Sequence, residues 1–151
     1  MKKKFNICLL VFWLVVIFLL SNQDSGKSQH LSDNLIGKGV DIVASITKQE
    51  ITPTKKVTIV ENMSDKVRSL AHFTEYLILG LLVINVLKDY YKLDYKIWLY
   101  GLLFCILYAI GDELHQLFIS GRSFQYGDII IDTLGSILGS FGFFKLKTNI
   151  K

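Results

Sequence analysis

Between Tyr108 and Phe118 the chain reads Tyr-Ala-Ile-Gly-Asp-Glu-Leu-His-Gln-Leu-Phe. The first residues close an apolar run of membrane-span character, and the next few bring in Asp112, Glu113, His115 and Gln116. Ionisable groups at the end of a membrane helix are costly and need either partners or a task. Similar groups recur at Arg68, His72 and Glu75, at Arg122, Asp128 and Asp132, and at Asn22 after the first apolar run. His72, Glu75, Asp112 and His115 are the catalytic candidates. His72 or Glu75 could accept a proton, with Asp112 and Asp132 orienting them. Arg68 and Arg122 suit a phosphate or carboxylate. Glu113, Gln116, Asp128, Asp132 and Asn22 complete the candidate ligand-binding set. An alternative chemistry is a divalent ion. His72-x-x-Glu75 and Asp112-x-x-His115 each present ligands at i, i+3, as helix-bundle metal sites do, and mixed nitrogen and oxygen ligands suit zinc. The bland alternative is that these charges only hold helices together, a task that apolar packing performs better than so many buried charges.

The elements that must position these residues are membrane spans. Half of the 151 residues are hydrophobic, and mean hydropathy is +0.40. The apolar residues form runs, which points to an all-α, polytopic membrane bundle. Four spans are expected, over residues 5–23, 68–87, 97–119 and 128–144. The basic start and apolar core of the first resemble a signal peptide, but no small-x-small cleavage site follows Leu20, so an uncleaved span is expected. Residues 24–67 are polar. Within them, near 31–47, an amphipathic helix is expected, with Leu31, Leu35, Ile36, Ile42, Val43 and Ile46 on one side, lying on the membrane or capping the bundle. Pro53 is read as the end of that region. Cys8 and Cys105 lie in apolar runs and read as small buried hydrophobes. Net charge is +4, but the basic residues flank spans and form no nucleic-acid motif.

Spacing places the polar residues at one level. At ~1.5 Å per residue, Glu75 lies ~20 Å above Lys88, Asp132 ~20 Å above Lys145 and Asp112 ~24 Å above Lys96. His72 and Asp128 fall close to the same height. Face geometry agrees, since Arg68, His72, Glu75 and Leu79 follow a 4-3-4 step, as do Asp128, Asp132, Gly135 and Gly139. The glycines, with Gly142 three residues on, give the last span a small face, and Gly135-Ser-Ile-Leu-Gly139 fits a close-packing GxxxG. Such packing would bring Asp132 near Glu75 and Asp112. The carboxylates outnumber the arginines, which implies raised carboxyl pKa values, a bound cation or a ligand that brings positive charge or hydroxyl donors.

Lysines 2, 3, 4, 88, 92, 96, 145, 147 and 151 share one side of a four-span topology, whereas the short loop opposite carries only Arg122. The positive-inside rule makes both termini cytoplasmic and turns the polar site outward. Six lysines in 21–67 oppose this, but the segment is long and charges far from the span ends count less.

Arg68-x-x-x-His72-Phe73-x-Glu75-Tyr76-x-x-x-Gly80, Tyr108-x-x-x-Asp112-Glu113-x-His115-Gln116-x-Phe118, then Arg122, Asp128, Asp132 and Gly135-x-x-x-Gly139, resemble the VanZ-like family, with Ser-Asn-Gln at 21–23 also fitting. That resemblance implies a four- or five-span protein of the bacterial plasma membrane, linked to teicoplanin resistance. It carries no mechanism. The expected function is therefore binding, with or without modification, of a lipid-linked or extracytoplasmic anionic group, the partner being a membrane lipid or lipid-linked envelope precursor. Besides the metal site, a transporter or assembly partner with a carboxylate proton relay is the other alternative, although no inverted repeat or broken helix is visible.

Overall fold

A computed structural model describes residues 1–48 and 50–149; Lys151, used above to orient the chain, lies outside them. The described residues form five helices: α1 (Lys2–Ser21), α2 (Ser25–Thr47), α3 (Pro53–Tyr90), α4 (Tyr95–Gln116) and α5 (Tyr126–Asn149). Four of them, α1, α3, α4 and α5, are long and apolar enough to cross a membrane. The chain is thus an all-α, multi-pass membrane bundle.

Helix starts follow local chemistry. The Asp24 carboxylate accepts from the Lys27 amide at 2.8 Å and caps α2. This charge-assisted bond holds the Asp24 carboxyl below its ordinary pKa. Asp94 caps α4 through the Ile97 amide at 2.8 Å. Thr52 caps α3, and Pro53 occupies its first turn. Proline suits that place because its missing N–H would have had no helical partner. Pro53 therefore opens a helix where the sequence pattern suggested a closing break.

The consequence is a continuous α3 of 38 residues, about 57 Å long and nearly twice the ~30 Å hydrocarbon core. Residues 53–67, ahead of the expected span, pair with α2 in an antiparallel hairpin. Ser32, Ile36 and Ser64 are buried there, and Lys56 meets Asp41 at 2.6 Å on the exposed edge. α2 begins six residues before the expected amphipathic stretch. Of its expected apolar side only Ile36 is buried; Leu31, Leu35, Ile42, Val43 and Ile46 are exposed. α2 turns a narrow face with Ser32 and Ile36 to α3 and leaves its other large apolar residues outward.

α3 is the hub, touching every other helix among the described residues. Its most extensive contact is with α5. A side chain at Gly135 would strike the Phe73 carbonyl, and one at Gly139 the Leu77 carbonyl. A Cβ on Gly80 would come within 2.5 Å of the Ser136 carbonyl oxygen. The two backbones are therefore in direct contact, as small-residue motifs permit between membrane helices. Gly142 takes no part, because nothing lies within 4 Å of its Cβ position. The apolar core, Ile17, Tyr76, Leu79, Val83, Cys105 and Ala109, lies where α1, α3 and α4 meet. Cys105 is buried as expected, but Cys8 is exposed on α1.

Donors to main-chain carbonyls tie the outer helices in. Trp13 Nε1 donates to the Glu75 carbonyl at 2.9 Å, and Tyr108 Oη to the Leu14 carbonyl at 2.8 Å. Trp98 Nε1 donates to Ser140 Oγ at 3.1 Å, joining α4 to α5.

Gly139→Leu should lower stability by more than about 3 kcal/mol, above the usual range for overpacking, because the obstacle is main chain. Gly142→Ala should leave stability within about 0.5 kcal/mol. Thermal unfolding of the two variants in detergent tests this; equal melting temperatures would contradict the close α3–α5 seam.

Candidate functional site

The seam sets the site. Asp132 lies one turn before Gly135 on α5, and His72 adjoins Phe73 on α3. Their side chains meet with His72 Nδ1 3.5 Å from Asp132 Oδ1, both residues being buried. That separation is long for a hydrogen bond, and neither atom has another partner among the described residues. Glu75, one turn along α3, lies within Coulombic reach of His72, Asp132, Asp112 and Arg122. Spans two, three and four thus bring Glu75, Asp112 and Asp132 together.

A turn over residues 117–125 completes the assembly. The Gln125 amide donates to Glu113 Oε1 at 2.5 Å, fixing the turn to the end of α4. The Gln125 side-chain oxygen accepts from Arg68 Nη2 at 3.3 Å. Arg122 Nη1 donates to Gln116 Oε1 at 3.0 Å, and Gln116 Nε2 to Asp112 Oδ2 at 3.4 Å. Arg122 Nε reaches the Gln23 carbonyl at 3.3 Å, so the turn also holds the junction of α1 and α2. Gly121, at φ +74°, makes the bend, and its Cα faces Ser25 Oγ at the start of α2. Burial, and next the neighbouring Arg68 guanidinium, push the Arg122 pKa below its ordinary value. Two arginines sharing one region repel each other and favour an anion between them.

These elements enclose a cavity of about 250 Å³. Its polar wall carries Arg68, His72, Glu75 and Arg122, together with Ser21 and Gln23. Its apolar roof comes from Leu31 and Leu35 of α2, the helix expected to lie on the membrane or cap the bundle. Ser21 Oγ, Arg68 Nε and His72 Nδ1 lack hydrogen-bond partners among the described residues.

The other candidates divide. Asp112, Glu113, Gln116, Asp128 and Asp132 are buried behind the cavity wall. Glu113 and Gln116 hold the turn, and Asp128 lies in the first turn of α5, where a carboxylate is favoured. Asn22 is not at the site: it is exposed, and its amide caps α1 by donating to the Phe18 carbonyl at 3.0 Å. Its neighbours Ser21 and Gln23 line the cavity instead. Ser21 follows Ile17 by four residues on the one buried face of α1, a periodicity that distinguishes it from Asn22. His115 does not line the cavity; its ring lies 4.8 Å from that of Phe18. The alternative ion site of His72, Glu75, Asp112 and His115 therefore does not assemble, and no three His, Cys, Asp or Glu side chains are grouped to hold a metal ion among the described residues. Gln125, which links Glu113 to Arg68, carries no charge and gave no sequence signal beyond its place in a turn.

Fold and site define a polytopic helical membrane protein with a polar chamber at one end of its bundle. The model of the VanZ/LLP1 family matches residues 5–147, nearly the whole chain, and the protein belongs to that family. No curated protein and no solved structure matches it.

A double-mutant cycle over His72→Ala and Asp132→Ala should give a coupling of about 0.5–3 kcal/mol, the range for residues in contact. The same cycle over His115→Ala and Asp132→Ala should give less than about 0.5 kcal/mol. Unfolding in detergent provides the measurement, and equal coupling in the two cycles would contradict the separation of the histidines.

Proposed function

We propose that the protein is an envelope protein of the bacterial plasma membrane whose cavity binds an anionic group, a phosphate or carboxylate, on the extracytoplasmic side. The observation that carries this reading is the division of charge at the wall. Both Arg68 and Arg122 line the cavity, whereas Glu75 is its only acidic residue among the described residues. The remaining carboxylates of the cluster point into the protein, where Asp112 is engaged by Gln116, Glu113 by Gln125 and Asp132 by His72. Charge-assisted bonds from paired guanidinium groups suit phosphate or carboxylate oxygens. His72 and Glu75 stand beside that anion. They are the proton-accepting side chains of the wall, the groups through which acid–base chemistry at the site would run.

Orientation follows from charge. The lysines at the start of α1, in the α3–α4 loop and late in α5 lie at the end opposite the cavity, and the positive-inside rule assigns that end to the cytoplasm. The natural partner is then an anionic lipid or lipid-linked envelope precursor. The family's association with teicoplanin resistance fits such a ligand.

Arg68→Gln and Arg122→Gln should each weaken binding of glycerol 3-phosphate to purified protein by about 10- to 100-fold, the cost of a lost hydrogen bond to a charged group. Calorimetry measures this, and full retention of affinity in both folded variants would remove the anion reading. Both variants should also abolish any teicoplanin tolerance that the wild-type gene confers. Ser123→Cys, in the exposed turn beside the site, should react with a membrane-impermeant maleimide in intact cells. Reaction only after lysis would invert the topology.

A further inference from the structure

A second depression adjoins the cavity. It is a groove of about 450 Å³ between α1 and α3, bounded by Trp13, Leu70 and Ile78 and floored by Ala71 and Thr74. Leu70 and Thr74 are exposed, within the span of α3, so hydrocarbon is the medium around them. Leu20, Val67, Ala71 and Glu75 border both the groove and the cavity. From Val67 to Ile78 the groove extends about 16 Å along α3, roughly half of a ~30 Å hydrocarbon core and hence one leaflet. The Trp13 indole, hydrogen-bonded to the Glu75 carbonyl, closes it at mid-membrane.

Glu75 is the informative residue. Its carboxyl group stands where an apolar, lipid-exposed groove meets a chamber lined by arginines. It has no cationic partner within ion-pair distance among the described residues. A carboxylate so placed in a membrane is expensive unless a donor reaches it, and the P–OH of a singly ionised phosphomonoester is such a donor. Arg68, which lines the chamber, keeps a buried Nε without a hydrogen-bond partner among the described residues. The surface is thus apolar along one leaflet and polar at its outer end, which is the shape of a lipid.

We infer that cavity and groove form one bipartite lipid site, in which a phosphomonoester headgroup lies at Arg68 and Arg122 and its hydrocarbon chain lies over Ala71 and Thr74. The ligand enters sideways from the outer leaflet between α1 and α3. This rests on the anion reading above and adds the source of the anion: a membrane lipid, as against a water-soluble phosphate. Small side chains at positions 71 and 74 then select for a chain that can lie between Leu70 and Ile78.

The test uses Trp13 as reporter. The chain has two tryptophans, and Trp98→Phe leaves Trp13 alone in the groove. In nanodiscs, phosphatidic acid with mid-chain bromines should half-quench Trp13 at a mole fraction at least tenfold lower than phosphatidylcholine with the same chains. Unbrominated phosphatidic acid should restore the emission. Thr74→Phe should fill the groove and remove this preference, yet leave glycerol 3-phosphate affinity within twofold, because Thr74 does not border the cavity. Its hydroxyl bonds only to the Leu70 carbonyl of its own helix, so folding should survive; Ala71→Leu is a second block. If glycerol 3-phosphate binds with arginine dependence but quenching shows no headgroup preference, the lipid inference fails and the anion reading stands. If neither phosphate compound binds, both fail. If the preference persists undiminished in both folded groove variants, the chain does not lie in the groove and the inference fails.

Discussion

Direct backbone contact between α3 and α5 is the constraint on which the rest of the molecule depends. In lipid, apolar side chains gain little by leaving one hydrocarbon surface for another, so association rests on close packing and on hydrogen bonds. Gly80, Gly135 and Gly139 allow that packing at its limit, with main-chain atoms where side chains would otherwise stand. Ser136 and Ser140, each fully buried directly after a seam glycine, keep the surface small while placing hydroxyls against the Tyr76 carbonyl and the Trp98 indole. This seam fixes not only the distance between the helices but also their register. A shift of one residue would move Asp132 by about 100° around α5, away from His72. The same glycines that hold the bundle together thus set the geometry of the polar chamber one turn further along.

That chamber shows how a membrane protein can bury many charges and still present a wall of different sign. A buried charge is tolerable when hydrogen-bonded or paired, and costly otherwise. Here the carboxylates are handled from behind. Glu113 is bound by the main-chain amide of Gln125, Asp112 by the side chain of Gln116, and Asp132 faces His72. The two arginines are held by neutral oxygens, those of Gln125, Gln116 and the Gln23 carbonyl. Their charge is therefore oriented without being neutralised by direct ion pairing. Neutral acceptors around the turn can display two guanidinium groups to a ligand in a way that carboxylates in their place could not.

Much of this was legible in the sequence, and the limits have physical causes. The spans were readable because apolar runs of membrane length have few alternatives. The meeting of Glu75, Asp112 and Asp132 was readable because helical rise turns spacing into height. The α2–α3 hairpin was not, because a proline has opposite meanings at the start and in the interior of a helix. Pro53 could be assigned only once Thr52 was seen to cap the Lys55 amide. Nor could depth alone separate Asn22 from Ser21, which requires knowing which face of α1 is buried. Charge balance could not give the sign of the cavity wall, for a related reason. A count of carboxylates against arginines weighs each group equally, whereas the sign of a cavity depends on which groups reach its wall. His115 shows the same limit, since its spacing from Asp112 puts it on the proper face of α4 but its position at the helix end turns it to Phe18.

α1 is the helix least committed to the bundle, and that bears on how the chamber communicates with the membrane. Apart from Ile17 and Ser21 its side chains are exposed or half-buried. It is joined to the other spans at two levels: Asn6 donates to Asp89 at 2.6 Å near one end, and the Trp13 and Tyr108 bonds act together at its middle. Between Trp13 and Leu20 no hydrogen bond links α1 to α3 among the described residues, and the contact there is apolar. Separating two apolar helices in hydrocarbon exposes no unsatisfied polar group, because lipid replaces one apolar neighbour with another. The upper half of the α1–α3 cleft is therefore the wall of the chamber that can part at least cost. The α3–α5 wall cannot, because parting it would forfeit the closest packing in the molecule and unpair His72 from Asp132. The asymmetry between a sealed seam on one side of α3 and a loosely apposed helix on the other gives the chamber a lipid-facing side, and Glu75 stands at its threshold.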